Sequence, residues 1–197
     1  VECGVIDERF LQACRNLKNF APQFHLSLQS GSDIVLRAMN RRYTRAQYLE
    51  KCALIYKYFP EAAITTDIIA GFAGETEEDF ADSLSIIEEA RFARVHAFAF
   101  SPREGTAAYK MKDVPPDIKS ARLHRLLEAG EVAAAKFVEK NIGSVQEVIF
   151  EDMEGDCPAG YTGSYIKVYC AGDLRGKICN VRLVKPFKDG AFGEVIF

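Results

Sequence analysis

The sequence lacks the closely spaced cysteines from which many metal and cluster sites are built. Its six cysteines, at positions 3, 14, 52, 157, 170 and 179, form no CxxC or CxxxC pair. Its three histidines are scattered without a ligand spacing. We therefore predict no metal site in the chain. Because the N-terminus does not resemble a secretion signal, the sequence favours buried, reduced thiols in a cytoplasmic protein over disulfides.

The sequence also lacks a long apolar run and a large excess of one charge. No stretch approaches the ~20 apolar residues that cross a bilayer, so we predict no membrane span. The formal net charge is −3 over 197 residues. This value excludes a uniformly basic surface and restricts any contact with nucleic acid to a local patch.

The residue patterns change in character near residue 143. Before it, strand-like apolar runs at 24–28, 64–69 and 95–100 alternate with amphipathic segments that end in a long helix at 117–141. This alternation predicts parallel strands covered by helices. After it, short β-rich runs separated by glycine turns predict a small barrel or sandwich. We therefore predict an α/β domain at 1–142 and an all-β domain at 143–197.

Small and polar residues follow each of the three predicted strands. They are Gln29 and Ser30, then Gly71, Phe72, Gly74 and Glu75, and finally Arg103. Ligands bind at the carboxyl ends of parallel strands, so we expect one rim suited to a polar ligand with ribose and carboxylate parts. Two alternatives stay open at this point. In the first, Gln29 and Ser30 only form hydrogen bonds with the backbone of their turn. In the second, Arg103 only forms a solvent-exposed salt bridge with Glu104 or Glu75.

Three motifs resemble one enzyme family. HLSLQSGSDIVLRAMNRRYT (25–44), TTDIIAGFAGETEEDF (65–80) and FSPREGTAA (100–108) resemble the radical S-adenosylmethionine (SAM) methylthiotransferases that modify tRNA. The spelling HLSLQSG is most similar to the branch that acts on threonylcarbamoyladenosine beside the anticodon. The β-rich tail resembles that family's TRAM domain, a small RNA-binding barrel. The resemblance thus implies an α/β fold with the later strands of a partial TIM-like barrel, followed by a small all-β barrel.

The same resemblance implies a cofactor set. Family members use SAM and, in the full-length protein, two 4Fe–4S clusters, but their CxxxCxxC loop is absent from this sequence. We therefore expect this chain to be inactive alone. The implied cofactor-binding residues are Gln29, Ser30, Arg42, Ile69, Gly71, Phe72, Gly74, Glu75, Phe100 and Arg103. Arg41 is an alternative to Arg42 as the partner of a carboxylate.

Contact with tRNA is expected in the β-rich tail. Residues 143–197 contain six Lys or Arg and eight Asp or Glu, so the tail has a formal charge of −2. Charge alone favours an ordinary mixed surface, whereas the family resemblance favours contact with tRNA. The candidate residues are Lys167, Lys177, Arg182 and Lys185, with Tyr165 and Tyr169 for stacking on bases.

Two other interpretations come from different functional classes. A stand-alone RNA-binding module without catalysis agrees with the tail and with the missing cluster cysteines. An aldolase-like barrel enzyme is disfavoured, because no lysine or pair of carboxylates stands at a predicted strand end. We also interpret the helical stretch that contains Arg122, His124 and Arg125 as a solvated basic face.

Overall fold

The computed structural model describes residues 1–196. Its α-helices are Glu8–Arg15 (α1), Asp33–Ala38 (α2), Arg45–Tyr58 (α3), Glu77–Glu89 (α4) and Pro116–Asn141 (α5). Its strands are Gln23–His25 (β1), Ala63–Ala70 (β2), Arg94–Ala99 (β3), Val145–Glu154 (β4), Cys157–Thr162 (β5), Lys167–Tyr169 (β6), Ile178–Phe187 (β7) and Gly190–Val195 (β8). None of the helices described is both long enough and apolar enough to cross a bilayer.

The first three strands form a parallel sheet in the order β1-β2-β3. The α/β prediction is thus confirmed, although β1 ends at His25 and not at residue 28. Beyond His25 the chain still runs beside β2, and the amides of Leu26 and Gln29 donate to the carbonyls of Thr65 and Asp67 over 2.9 and 2.8 Å. Only an isolated bridge forms there, since Gln29 has a φ of 72° and cannot continue a regular strand.

One face of the sheet packs against helices. Phe24, Ile64 and Ile68 point into a core that also contains Tyr48 of α3 and Phe80 of α4, all nearly inaccessible to water. Both helices begin with a capping box, in which a threonine side chain and the side chain three residues later satisfy each other's backbone amides. These caps fix where α3 and α4 start, and so fix the turns that precede them.

The second half of the chain forms a closed barrel with the strand order β4-β5-β6-β8-β7. Its core includes Val148, Phe150 and Val181. Phe137 and Val138, near the end of α5, pack into that same core. The all-β tail is therefore a barrel, while a domain boundary between residues 142 and 143 stays a prediction.

Candidate functional site

The carboxyl ends of the three parallel strands lie side by side at one edge of the sheet, which we call the rim. The amide of Ile69 donates to the carbonyl of Gln29 over 2.9 Å, and the amide of Phe100 donates to the carbonyl of Ala70 over 2.8 Å. Backbone hydrogen bonds thus bring Gln29, Ile69 and Phe100 to one edge of the sheet. The ring of Phe100 also packs against that of Phe72, with centroids 4.8 Å apart.

The glycines of the turn after β2 serve different purposes. Gly71 has a φ of 70°, and a Cβ built there would lie 2.5 Å from Cγ of Lys119. Glycine is therefore required at 71 by the backbone conformation and by the packing of α5. Gly74 has a φ of 84° and an exposed backbone, with Cε of Met111 as its nearest neighbour at 3.7 Å. Of these two glycines, Gly74 is the one whose backbone a ligand can approach.

Glu75 is directed away from the rim and towards α5. Its Oε2 accepts hydrogen bonds from the amide of Gly71 over 2.9 Å and from Nη1 of Arg122 over 2.8 Å. Burial raises the pKa of Glu75, although the Gly71 amide and Arg122 oppose that shift. The interpretation of Arg122 as part of a solvated face is wrong, since Arg122 is only 6% exposed. Glu75 and Arg122 together hold the turn from behind.

Ser30 is fully buried and bonded within its own turn. Its Oγ lies 3.3 Å from Oγ of Ser83 and accepts from the amide of Ser32 over 3.2 Å. The Ser30 side chain thus bonds both to the backbone of its own turn and to α4. Gly31, next to it, packs against α4 so closely that a Cβ would lie 2.3 Å from the carbonyl oxygen of Asp82.

The two predicted carboxylate partners remain on the surface. Arg42 and Arg103 are both exposed, and within residues 1–196 no ion pair joins either of them to the rim. The ordered arginine near the first turn is Arg45, which donates to the carbonyls of Gly31 and Asp82 over 3.2 and 2.6 Å. Sequence reasoning missed Arg45, because nothing in the local pattern separates it from its neighbours Arg41 and Arg42.

A second polar group was also missed. The inner-face cluster, on the sheet face opposite the helices, consists of His25, Ser27, Thr65, Asp67 and His96. Asp67 Oδ2 accepts from Ser27 Oγ over 2.9 Å and lies 3.1 Å from His25 Nε2. The signal was present in the sequence, since Asp67 is the one charged residue in the strand-like run ITTDIIA.

The two implied cofactors fit these residues differently. Gln29, Ile69, Gly74 and Phe100 present polar and apolar surface at the rim, which suits the adenosyl part of SAM. An iron–sulfur cluster does not fit. Within residues 1–196 no group of three or more His, Cys, Asp or Glu is placed to hold a metal ion. Burial raises the pKa of Cys52 to about 12, which opposes the thiolate form that ligates iron.

The candidate RNA-binding residues on the barrel do not form one free basic face. Lys167 is paired with Glu154 and lies 3.3 Å from Asp189. Tyr169 is fully buried and donates to Asp189 over 2.5 Å, so its predicted role in stacking is wrong. By contrast, Tyr165 is 66% exposed.

Exposed aromatic and aliphatic side chains form a row across the outside of the barrel. Strand register places Tyr161 beside Ile149, and Ile149 beside Ile178. The ring of Tyr165 packs on that of Tyr161 at 5.7 Å, and all four side chains are exposed. We call these four residues the barrel row. Among the candidate cations, Lys177 precedes Ile178, Arg182 is exposed further along β7, and Lys185 lies beyond a bulge.

Comparison with known proteins identifies relatives for the whole chain. Residues 2–87 match the family model of the Radical SAM superfamily. The chain is 41% identical over 177 residues to the tRNA-2-methylthio-N(6)-dimethylallyladenosine synthase of Bdellovibrio bacteriovorus, which covers 87% of this chain and 39% of that protein. It is 33% identical over 207 residues to the threonylcarbamoyladenosine tRNA methylthiotransferase of Bacillus subtilis, which covers 100% of this chain and 46% of that protein. The chain thus spans less than half the length of either relative.

A solved structure supports the fold. Coproporphyrinogen III oxidase from Escherichia coli, a radical SAM enzyme, superposes with a TM-score of 0.56 at 16% identity, covering 83% of this chain and 45% of that chain. At this identity the likeness concerns the fold alone. The curated relatives and the family model matched over residues 2–87 show that the chain is a radical SAM protein whose homologues are tRNA methylthiotransferases.

Proposed function

We propose that this chain is the SAM-rim and tRNA-binding portion of a cytoplasmic methylthiotransferase that modifies threonylcarbamoyladenosine next to the anticodon. Residues 1–142 would be the later part of a TIM-like radical SAM barrel, and residues 143–197 a TRAM domain. The observation that carries the proposal is the convergence of Gln29, Ile69 and Phe100 at one sheet edge, in a chain whose relatives are methylthiotransferases.

The rim residues have separate roles in this proposal. The Gln29 amide and the exposed backbone at Gly74 would bind the polar parts of SAM, while Ile69 and Phe100 would contact its adenine. Phe72 would support Phe100 from behind, and Gly71 and Glu75 would keep the turn in place. Arg42 or Arg103 would pair with the methionyl carboxylate if its side chain moves to the rim. Bound at the rim, SAM would supply radical chemistry together with a reduced 4Fe–4S cluster.

Binding of SAM to this chain tests the rim directly. We expect SAM to shift the amide NMR signals of Gln29, Gly74 and Phe100, and to leave those of α1 unchanged. Phe100→Ala should weaken binding about tenfold, since stacking on an aromatic ring contributes about 1–3 kcal/mol. The matched control is Phe187→Ala on the barrel. Shifts that avoid the rim, or equal effects of the two variants, would contradict the assignment.

A test of which modified adenosine is the substrate requires a complete enzyme. This chain can replace the corresponding part of the Bacillus subtilis relative, and the reconstituted chimera can be given tRNA carrying either modified adenosine. We expect a methylthio product on threonylcarbamoyladenosine only. A product only on dimethylallyladenosine would reassign the branch. A folded, cluster-loaded chimera that yields no product on either tRNA would argue against a methylthiotransferase.

A second candidate function, RNA binding by the barrel without catalysis, is favoured by the barrel row. Exposed Tyr161 and Tyr165 suit stacking on unpaired bases, and Lys177, Arg182 and Lys185 would contact phosphates. Lys167 would add little, because Glu154 and Asp189 already neutralise it. We expect Tyr165→Ala to weaken tRNA binding about tenfold, and Tyr109→Ala, an exposed tyrosine outside the barrel, to leave it unchanged.

Salt dependence separates phosphate contacts from stacking. If two or three lysines or arginines contact phosphates, log Kd should rise with log salt with a slope of about 2–3. Arg182→Gln should reduce that slope by about 1. If tRNA binding is undetectable even at low salt, the barrel does not bind RNA in this chain.

A further inference from the structure

The inner-face cluster contains a carboxylate, that of Asp67, of which only one oxygen is bound by neighbouring side chains. Asp67 Oδ2 is bonded by Ser27 and lies within hydrogen-bonding distance of His25. His25 in turn lies 3.0 Å, through Nδ1, from Oγ1 of Thr65. Within residues 1–196 the other oxygen, Oδ1, accepts no side-chain hydrogen bond. Its neighbours thus orient Asp67 while leaving one charged acceptor free.

This acceptor is accessible. The side chains of Asp67 and His25 are 27% and 39% exposed. Asp67 stands on the central strand of the sheet, so its position is more rigid than that of a loop residue. Because the side chain is partly exposed, water can hydrogen-bond to Oδ1 in the free protein, and a ligand with an N–H donor can take the place of that water.

Two apolar side chains, Ile69 and Phe98, lie beside the Asp67 carboxylate. Strand register pairs Asp67 with His96 and, two residues nearer the rim, Ile69 with Phe98. Successive residues on one face are about 7 Å apart along a strand, so the Phe98 ring is within reach of a ligand that touches Asp67. Phe98 is 54% exposed, although most phenylalanines are buried.

An exposed aromatic face beside a carboxylate acceptor suits a flat base that carries an N–H donor. We propose that Asp67, His96 and Phe98 form a binding site for an adenine base. In this site the ring stacks on Phe98, and the exocyclic N–H donates to Asp67 Oδ1. His96 is paired with Asp67 in the strand register and contacts a ring nitrogen. This inference deepens the proposed function and rests on it, since it assigns a position to the adenosine that is to be modified.

The site should discriminate by the exocyclic amine. A base without that N–H buries the Asp67 carboxylate unpaired, which lowers affinity because an unsatisfied charged group is costly. Adenosine and purine riboside differ only in this amino group and have the same stacking surface. They are therefore matched probes for the carboxylate contact.

The test is a titration of this chain, labelled at its histidines, with each nucleoside up to tens of millimolar. We expect adenosine to shift the imidazole NMR signals of His25 and His96, with an affinity about tenfold higher than that of purine riboside. Asp67→Asn should remove this preference, whereas the matched control Asp156→Asn, in an exposed turn, should keep it. Phe98→Ala should weaken both nucleosides equally and leaves the carboxylate in place.

Several results would overturn the proposal. They are equal affinities for the two nucleosides, an unchanged preference in Asp67→Asn, or no shift of the His25 and His96 signals at the highest adenosine concentration. The proposed function is judged separately, by the methylthio product of the chimera. If that product forms while adenosine leaves both histidines unshifted, only the adenine site is refuted. If adenosine binds as expected but no product forms, the proposed function fails and the nucleobase site remains.

Discussion

The buried ion pair behind the rim can be tested by replacing Arg122 with methionine. Nη1 of Arg122 lies 2.8 Å from Glu75 Oε2, and the two side chains are 7% and 0% exposed. The variant leaves the Glu75 carboxylate buried without a counter-charge. Removing one partner of a buried pair costs about 3–5 kcal/mol. We expect a loss near the lower end, about 3 kcal/mol at pH 7, because Glu75 Oε1 and Arg122 Nε already lack hydrogen-bond partners.

The loss should depend on pH in a defined direction. Burial already raises the pKa of Glu75 above 4.5 in the wild type, and removal of the neighbouring cation should raise it further. A raised carboxyl pKa means that stability is greatest below the unfolded-state value and falls as pH rises through the folded-state value. The stability gap between wild type and Arg122→Met should therefore widen as pH rises above about 4.5, and narrow in acid.

Urea unfolding at pH 4.5 and 7 measures this gap. The matched control is Arg125→Met, on the same helix. Arg125 also pairs with Glu77, over 2.6 Å, but its side chain is 48% exposed. A surface pair of this kind contributes about 1 kcal/mol or less. The double variant Glu75→Gln/Arg122→Met should recover much of the loss, because it removes both buried charges. Equal losses for the two arginine variants at pH 7, or a gap that does not change with pH, would refute the reasoning.

Two further variants test the turns that shape the rim. Gly31→Ala should cost about 1–3 kcal/mol, because its Cβ would lie 2.3 Å from the carbonyl oxygen of Asp82; Gly4→Ala, which has open space around it, should leave the urea midpoint unchanged. Burial alone would raise the pKa of Asp79, but hydrogen bonds from Ser32 and from the Thr76 turn lower it below 3.8. Ionised Asp79 therefore stabilises the fold above pH 3.8, and this stabilisation is lost as the pH falls through the lower folded-state pKa. Asp79→Asn should therefore cost about 1–2 kcal/mol at pH 7 and flatten the acid side of a stability–pH curve; an unchanged curve would contradict this account.

Local pattern predicted the elements of the fold well. The predicted strands at 64–69 and 95–100 and the predicted helix at 117–141 correspond to β2, β3 and α5 of the structure. The first strand was predicted too long, because apolar alternation continues to Leu28 while the ladder stops at His25. The positive φ of Gln29 ends the regular pairing, and a glutamine gives no sequence signal for that conformation.

Long-range partners were not predictable in the same way. The nearby His124 and Arg125 suggest a solvated basic face at Arg122, yet its partner Glu75 lies 47 residues earlier. The sequence predicts that Tyr169 is available for stacking, but in the structure its hydroxyl group is hydrogen-bonded to Glu154 and Asp189. In each case the burial of the residue depends on which elements meet in space, and a single sequence does not contain that information.

The long helix α5 explains why the change in composition at residue 143 does not coincide with a change in packing. With 26 residues it is about 39 Å long. Its first turns contact the rim, where Lys119 packs on Gly71 and Arg122 binds Glu75. Its last turns place Phe137 in the core of the barrel. Because one continuous helix is buried at both ends, the barrel cannot shift far from the sheet without disturbing the contacts that hold the β2–α4 turn.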